Sequence, residues 1–140
     1  MSSEYFPSNR DLAFFRSAEE ISKLSDHRYQ IGCVIVNGHK LISSGCNTHT
    51  KKHAFQAQLD KDNFSCECAG YLHAETDALL PLIKTKTDLS RATIYTFRRD
   101  RCGNLGLSRP CDRCMLMIKK LGIKKVKYST KFGYASEVIL

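Results

Sequence analysis

The fold is decided at residues 30–46, which read QIGCVIVNGHKLISSGC. Residues 30–36 are rich in β-branched side chains, and residues 40–46 have the pattern of a returning strand. Asn37-Gly38 between them is a pair that strongly favours a hairpin turn. The stretch therefore predicts two antiparallel strands joined by this turn.

Helices and strands alternate on both sides of the hairpin. Residues 9–24 are predicted to be helical, because Ser8 and Asp11 resemble a capping box and the apolar residues that follow have roughly helical spacing. A second helix is predicted over 72–83, a buried strand over 92–97, a helix from Pro110 to a cap at Gly122, and a short strand over 125–129. Residues 47–70 are expected to be mainly a long loop with a possible short helix. This order predicts helices that cover a mixed sheet.

The composition indicates a single domain over residues 1–140, since 42% of the residues are hydrophobic. No apolar run approaches the ~20 residues that cross a bilayer, and the first residues lack the layout of a secretion signal. We therefore expect a cytoplasmic protein without a membrane segment. Seven cysteines in such a chain favour a metal site over a set of disulfides.

Positive charge is concentrated in the C-terminal third. From Arg91 onward there are 12 Lys or Arg against 3 Asp or Glu, whereas residues 1–90 carry 10 against 11. Clustered positive charge favours phosphate-bearing partners, although an ordinary solvated basic surface has the same composition. A nucleotide or a nucleic acid is therefore a candidate partner of this region.

Two short motifs carry metal-binding side chains, each at the start of a predicted helix. They are His73-Ala74-Glu75 and Pro110-Cys111-Asp112-Arg113-Cys114. A Cys-x-x-Cys at a helix start presents both sulfurs to one ion, and one histidine completes a set of three ligands with a fourth position free for water. Zinc lowers the pKa of such a water towards ~7, and a carboxylate two residues from the histidine can move the proton.

The two motifs resemble the H-x-E and P-C-x-x-C motifs of the zinc-dependent cytidine and deoxycytidylate deaminase superfamily. Residues 44–47 (Ser-Gly-Cys-Asn) are also similar to the strand-end Gly-x-Asn of that family. The resemblance implies a three-layer α-β-α sandwich, with a central mixed sheet whose first two strands form a hairpin. It also implies a homo-oligomer.

The resemblance implies a role for each matching residue. His73, Cys111 and Cys114 would bind one catalytic zinc, and Glu75 would shuttle protons without being a ligand. Asn47 would hydrogen-bond the sugar, and the Ala74 backbone N–H would meet the edge of the base. Taken singly, the cysteines could be a buried thiol pair and the histidine a satisfied side chain, but the combined motifs favour the metal site.

Two further groups of residues have less specific patterns. Four potential ligands, His49, His53, Cys66 and Cys68, could hold a second, structural zinc, or could belong to an ordinary loop. Four arginines flank the loop before the second motif, where a nucleotide phosphate could bind: Arg98, Arg99, Arg101 and Arg109. Among them, Arg109 is our candidate substrate-binding residue, and a solvated loop is the alternative.

These observations favour hydrolytic deamination of a cytosine nucleotide or nucleoside, with dCMP as the preferred substrate. One alternative is a deaminase that edits cytosine or adenine in single-stranded DNA or RNA, bound along the basic C-terminal third. Another is a non-catalytic zinc domain that binds nucleic acid. Glu75 argues against this last alternative, because a structural metal site needs no proton carrier.

Overall fold

Within residues 2–50, 53–63 and 71–140, which the computed structural model describes, six strands form one sheet. The strands are β1 Ser2–Glu4, β2 Ile31–Asn37, β3 Lys40–Cys46, β4 Ala92–Arg98, β5 Lys125–Thr130 and β6 Gly133–Val138. Their spatial order is β1-β6-β5-β4-β2-β3. Because β4 and β5 are parallel and the other neighbours are antiparallel, the predicted mixed sheet is confirmed.

The helices in the described part of the chain are α1 Asn9–Ser22, α2 Ala54–Asn63, α3 Ala74–Lys84 and α4 Asp112–Lys120. The predicted cap of α1 is present, since the Asp11 backbone N–H donates to Ser8 Oγ at 3.1 Å. The α4 helix is followed by Gly122 with a φ of +84°, a conformation that glycine adopts without strain. Within the described residues, no helix combines the length and the apolar content needed to span a membrane.

The predicted hairpin is formed by β2 and β3, which pair antiparallel from Gly32 opposite Cys46 to Asn37 opposite Lys40. Gly38 in the turn has a φ of +65°. One detail of the prediction is wrong: β1 precedes the hairpin, so the hairpin contains the second and third strands of the chain and not the first two.

Helices cover both faces of the sheet, which confirms the three-layer sandwich. Side chains alternate along β2, so that Cys33 and Ile35 pack in one core and Val34 and Val36 in the other. Residues of α3 and α4 belong to the first core, and α1 packs on the opposite face through Phe15 and Ala18. The α3 and α4 helices therefore share the face that carries the two metal-binding motifs.

Besides β1, two elements go beyond the predicted order. The β6 strand pairs antiparallel with β5, after a turn through Lys131 and Phe132. Its sequence mixes polar and apolar residues without a clear alternation, so the pattern does not predict it. The α2 helix lies within residues 47–70, which the sequence predicts to be mainly a loop.

Candidate active site

Three potential metal ligands meet where α3 and α4 begin. His73 is the residue that precedes the first turn of α3, Cys111 has the same position at α4, and Cys114 lies in the first turn of α4. His73 Nδ1 is 3.6 Å from Cys111 Sγ and 3.5 Å from Cys114 Sγ. All three ligand atoms lie within 4.8 Å of one another, so the structure brings the predicted ligands together.

This donor set fits zinc. Two thiolates and one imidazole form a common catalytic zinc site, and tetrahedral bonds of ordinary length separate a sulfur and a nitrogen ligand by about 3.6 Å. The two measured S···N distances agree with that value. The residues present are therefore compatible with a zinc ion held by His73, Cys111 and Cys114.

The electrostatics of the site favour a thiolate. A hydrogen bond with Cys114 and another with His73 lower the pKa of the Cys111 thiol to about 3, although partial burial opposes the shift. The hydrogen bond with Cys111, together with burial, raises the pKa of Cys114. The pair therefore holds one negative charge close to the helix N-terminus of α4, where partial positive charge stabilises it.

Glu75 lies beside the ligands and is almost completely buried. Burial raises the pKa of its carboxyl, and a hydrogen bond with Cys114 only partly offsets this. Because a raised pKa makes a carboxylate a stronger base, this shift suits a group that accepts a proton. The structure thus gives Glu75 the environment that a proton carrier requires.

A cavity of about 310 Å³ borders His73 and Glu75. Four of the residues predicted from the sequence lie in its wall: Asn47, His73, Ala74 and Glu75. Because α3 begins at Ala74, the Ala74 backbone N–H has no acceptor within the helix and can donate to a ligand. The volume is at the lower end of the range of about 300 to 1,000 Å³ that is usual for small-molecule sites.

The side chain of Asn47 also stabilises the cavity wall through hydrogen bonds. Its Oδ1 accepts hydrogen bonds from the Ile31 backbone N–H at 2.9 Å and from the Ser25 hydroxyl at 2.7 Å. Its Nδ2 donates to the Tyr29 carbonyl at 2.6 Å. These contacts join the end of β3 to the start of β2, so Asn47 holds the cavity in shape as well as facing it.

Contacts with β3 and α2 hold α3 in place. The Cys46 backbone N–H donates to Asp77 Oδ2 at 3.1 Å, and the Ser43 hydroxyl donates to the Ala78 carbonyl at 2.6 Å. The buried Gln56 of α2 accepts a hydrogen bond from the His73 backbone N–H at 3.3 Å. The position of His73 is therefore supported from two neighbouring elements.

Several residues of the cavity wall were not predicted. They include His27, Tyr29 and Ile31, from the segment before and at the start of β2. No sequence motif marks these three residues, because they line the cavity only once folding brings the start of β2 next to α3. Arg98, one of the four arginines predicted as candidates for a phosphate, also lines this wall.

Arg109 lies elsewhere. Its guanidinium forms a two-point ion pair with Glu137, with Nε–Oε2 at 2.6 Å and Nη2–Oε1 at 3.1 Å. Tyr128 donates to the same carboxylate at 2.8 Å. Arg109 is not among the described residues that line the cavity, so its contact with a substrate stays a prediction.

The second zinc site stays a prediction as well. Cys66 and Cys68 lie outside the described residues. His49 Nδ1 is 3.4 Å from a carboxylate oxygen of Asp26, and the Phe55 backbone N–H donates to His53 Nδ1 at 3.0 Å. Among the described residues, the only grouping of potential metal ligands is His73, Cys111 and Cys114.

Comparison with known proteins agrees with this site. Residues 8–130 match the sequence profile of the family described as "Cytidine and deoxycytidylate deaminase zinc-binding region". No curated protein matches the chain as a whole at a significant level.

Solved structures with a similar fold include deaminases. The dCMP deaminase of cyanophage S-TIM5 in its apo form has a TM-score of 0.63 at 23% identity, over 88% of this chain and 84% of that one. The same enzyme in complex with dCMP and dUMP has a TM-score of 0.62 at 21% identity, over 89% and 83%. Cytidine deaminase from Burkholderia pseudomallei has a TM-score of 0.62 at 16% identity, over 91% of each chain. At these identities the likeness shows a shared fold.

Proposed function

The chain belongs to the cytidine and deoxycytidylate deaminase zinc-binding family, and from that premise we propose that it converts dCMP to dUMP with release of ammonia. A hydrolytic deaminase activity follows from the family and from the fold that the chain shares with deaminases. The observation that carries the proposal is the buried carboxyl of Glu75, in the same cavity wall as the metal ligand His73.

The reaction replaces the amino group of the base by an oxygen from water. Zinc held by His73, Cys111 and Cys114 would supply a water that ionises near neutral pH. Glu75 would accept the first proton of this water and deliver it to the ring nitrogen, while the water oxygen adds to the carbon that carries the amino group. Glu75 would then take the second proton from that oxygen and pass it to the amino group, which leaves as ammonia when the C–N bond breaks. The Ala74 backbone N–H orients the base edge, and Asn47 contacts the sugar.

The cavity wall suits a flat base attached to a polar sugar. Tyr29, Ile31 and Leu72 supply aromatic or apolar surface, whereas His27 and Thr48 supply polar groups. A site of this kind excludes much of the water around the base while leaving hydrogen-bond partners for a sugar. A cytoplasmic location and a homo-oligomeric state stay predictions.

The test is ammonia release by zinc-loaded protein from deoxycytidine, dCMP, adenosine and cytosine- or adenine-containing single-stranded oligonucleotides. We expect turnover of dCMP, and we expect Glu75→Gln to lower kcat about 100- to 10,000-fold, the usual contribution of a proton carrier. The zinc content of this variant should match that of the wild type, because Glu75 is not a ligand. Glu20→Gln, an exposed carboxylate on α1, is the matched control and should keep full activity.

Each other result assigns a different function. Turnover of oligonucleotides alone would move the assignment to nucleic-acid editing. Turnover of no member of the panel, with zinc bound, would favour a binding role. Full activity of Glu75→Gln would remove the proposed mechanism.

A further inference from the structure

A second cavity adjoins the candidate active site. It has a volume of about 270 Å³ and shares Tyr29 and Arg98 with the wall of the catalytic cavity. The rest of its lining consists of Arg28, Arg99, Asp100, Arg101 and Cys102. We call it the arginine pocket. The two cavities therefore lie on either side of Tyr29 and Arg98.

The arginine pocket is positively charged. Four arginines and one aspartate line it. Arg99 is paired with Glu19 at 2.5 Å, and Asp100 Oδ1 accepts backbone hydrogen bonds from Cys102 and Asn104, both at 2.9 Å.

The other three arginines of the pocket, Arg28, Arg98 and Arg101, have no ion pair with any described carboxylate. Like charges that face one space without a counter-ion repel each other, and an anion bound between them relieves the repulsion.

Arg98 is the residue that joins the two cavities. It is the last residue of β4, and its Nε is buried with no hydrogen-bond partner in the described part of the chain. Its Nη1 makes only a long contact of 3.5 Å with the Leu107 carbonyl. A buried donor without an acceptor is costly, and the planar guanidinium matches two oxygens of a phosphate.

Tyr29 holds two of the arginines in position. The guanidinium carbon of Arg98 lies 4.8 Å from the centre of the Tyr29 ring, and that of Arg28 lies 5.4 Å from it. Contacts of this kind between a cation and a ring are favourable and restrict the side chains. Two guanidinium groups are thus placed next to the catalytic cavity by one aromatic ring.

We propose that the arginine pocket binds a phosphate group of the substrate, with Arg98 as the residue that distinguishes a nucleotide from a nucleoside. This inference rests on the proposed function, because it assumes that a base occupies the catalytic cavity. It assigns the phosphate contact to Arg98, with support from Arg28 and Arg101, while Arg109 remains paired with Glu137.

The experiment compares kcat/KM for dCMP with kcat/KM for deoxycytidine. In Arg98→Gln the ratio of the two values should fall about 10- to 100-fold, the effect of losing one or two charge-assisted hydrogen bonds. Arg98→Lys keeps the charge without the planar fork and should give an intermediate ratio. Arg101→Gln, on an exposed side chain, provides a second variant with a smaller fall.

Arg91→Gln is the matched control, since Arg91 is exposed and lies next to the opposite end of β4. It should keep the wild-type ratio. The phosphate pocket is overturned if the wild-type enzyme deaminates both substrates and neither Arg98→Gln nor Arg101→Gln changes the ratio of the two kcat/KM values. The proposed function would then remain intact.

If neither substrate is turned over, the affinities for dUMP and for deoxyuridine, measured by calorimetry, test the phosphate pocket separately from the proposed reaction. Tighter binding of dUMP that depends on Arg98 would support the pocket while the proposed reaction fails, and equal binding of both would overturn the pocket. A single-stranded oligonucleotide as competitor identifies the source of the phosphate. If the oligonucleotide competes more strongly than dUMP, and if Arg98→Gln weakens this competition, the pocket binds a phosphodiester of a polynucleotide.

Discussion

Among single residues, Cys114 gives the sharpest test of the proposed zinc site, because its side chain is completely buried and contacts His73. Cys114→Ser replaces a thiolate by a hydroxyl, which is a much weaker ligand for zinc. We expect the zinc content per chain, measured by mass spectrometry of the purified protein, to fall well below that of the wild type. Cys102→Ser makes the same change at an exposed cysteine and should keep the wild-type content. Unchanged zinc in Cys114→Ser would contradict the ligand assignment.

The same measurement tests the second zinc site. One site predicts about one zinc per chain, and a second site predicts about two. If His49, His53, Cys66 and Cys68 hold an ion, Cys66→Ser should remove about one equivalent and leave the catalytic equivalent in place. A zinc content near one ion per chain, unchanged in Cys66→Ser, would eliminate the second site.

Between elements, Gly45 sets the distance from β3 to α3. A Cβ at this position would lie 2.5 Å from the Ala78 backbone nitrogen and 2.8 Å from the Ala74 carbonyl oxygen. Because both atoms belong to the backbone of α3, the helix itself would have to move. We expect Gly45→Ala to lower the free energy of unfolding by about 2 to 3 kcal/mol, measured by chemical denaturation.

The displacement should also lower deaminase activity, since α3 carries Ala74 and Glu75. Ser44→Ala adds no atom next to α3 and is exposed, so its unfolding free energy should stay within about 0.5 kcal/mol of the wild type. Equal stability of the two variants would show that the helix and strand can separate without cost.

For the whole molecule, Asp11 joins α1 to the sheet on the face opposite His73, Cys111 and Cys114. Tyr95 of β4 donates to its Oδ1 at 2.5 Å, and Lys127 of β5 donates to its Oδ2 at 2.9 Å. Burial raises the pKa of Asp11, but these hydrogen bonds outweigh it, so the pKa lies below its usual value. We expect Asp11→Asn to lower the free energy of unfolding by about 2 to 3 kcal/mol at pH 7.

This difference should depend on pH. A lowered carboxyl pKa stabilises the folded protein fully above the ordinary value of about 4, and the contribution is lost as the pH falls through the lowered value. The gap between wild type and Asp11→Asn, measured by denaturant unfolding, should therefore shrink in that acidic range. Glu20→Gln changes a carboxylate in an exposed surface ion pair, so its free energy of unfolding should stay close to that of the wild type at pH 7 and in the acidic range. A gap that is constant down to pH 3 would contradict the ionic role.

Prediction succeeded best for features that depend on neighbours in sequence. The hairpin turn at Asn37-Gly38, the cap at Ser8 and the periodicity of α1 are local, and the structure contains all three. The β6 strand was not predicted because its residues, Gly133–Val138, form a strand through pairing with β5 and β1, which no local pattern records.

The sequence by itself determined which side chains the candidate site contains, because Cys111 and Cys114 are three residues apart at the start of one helix and Glu75 is two residues from His73. Only the tertiary structure decided which arginine faces the cavity. Arg98 and Arg109 flank the same loop, yet one lines the catalytic wall and the other pairs with Glu137. The physical reason is that a charged side chain takes its partner from whatever folding brings near it, and that neighbour can be any distance away in sequence.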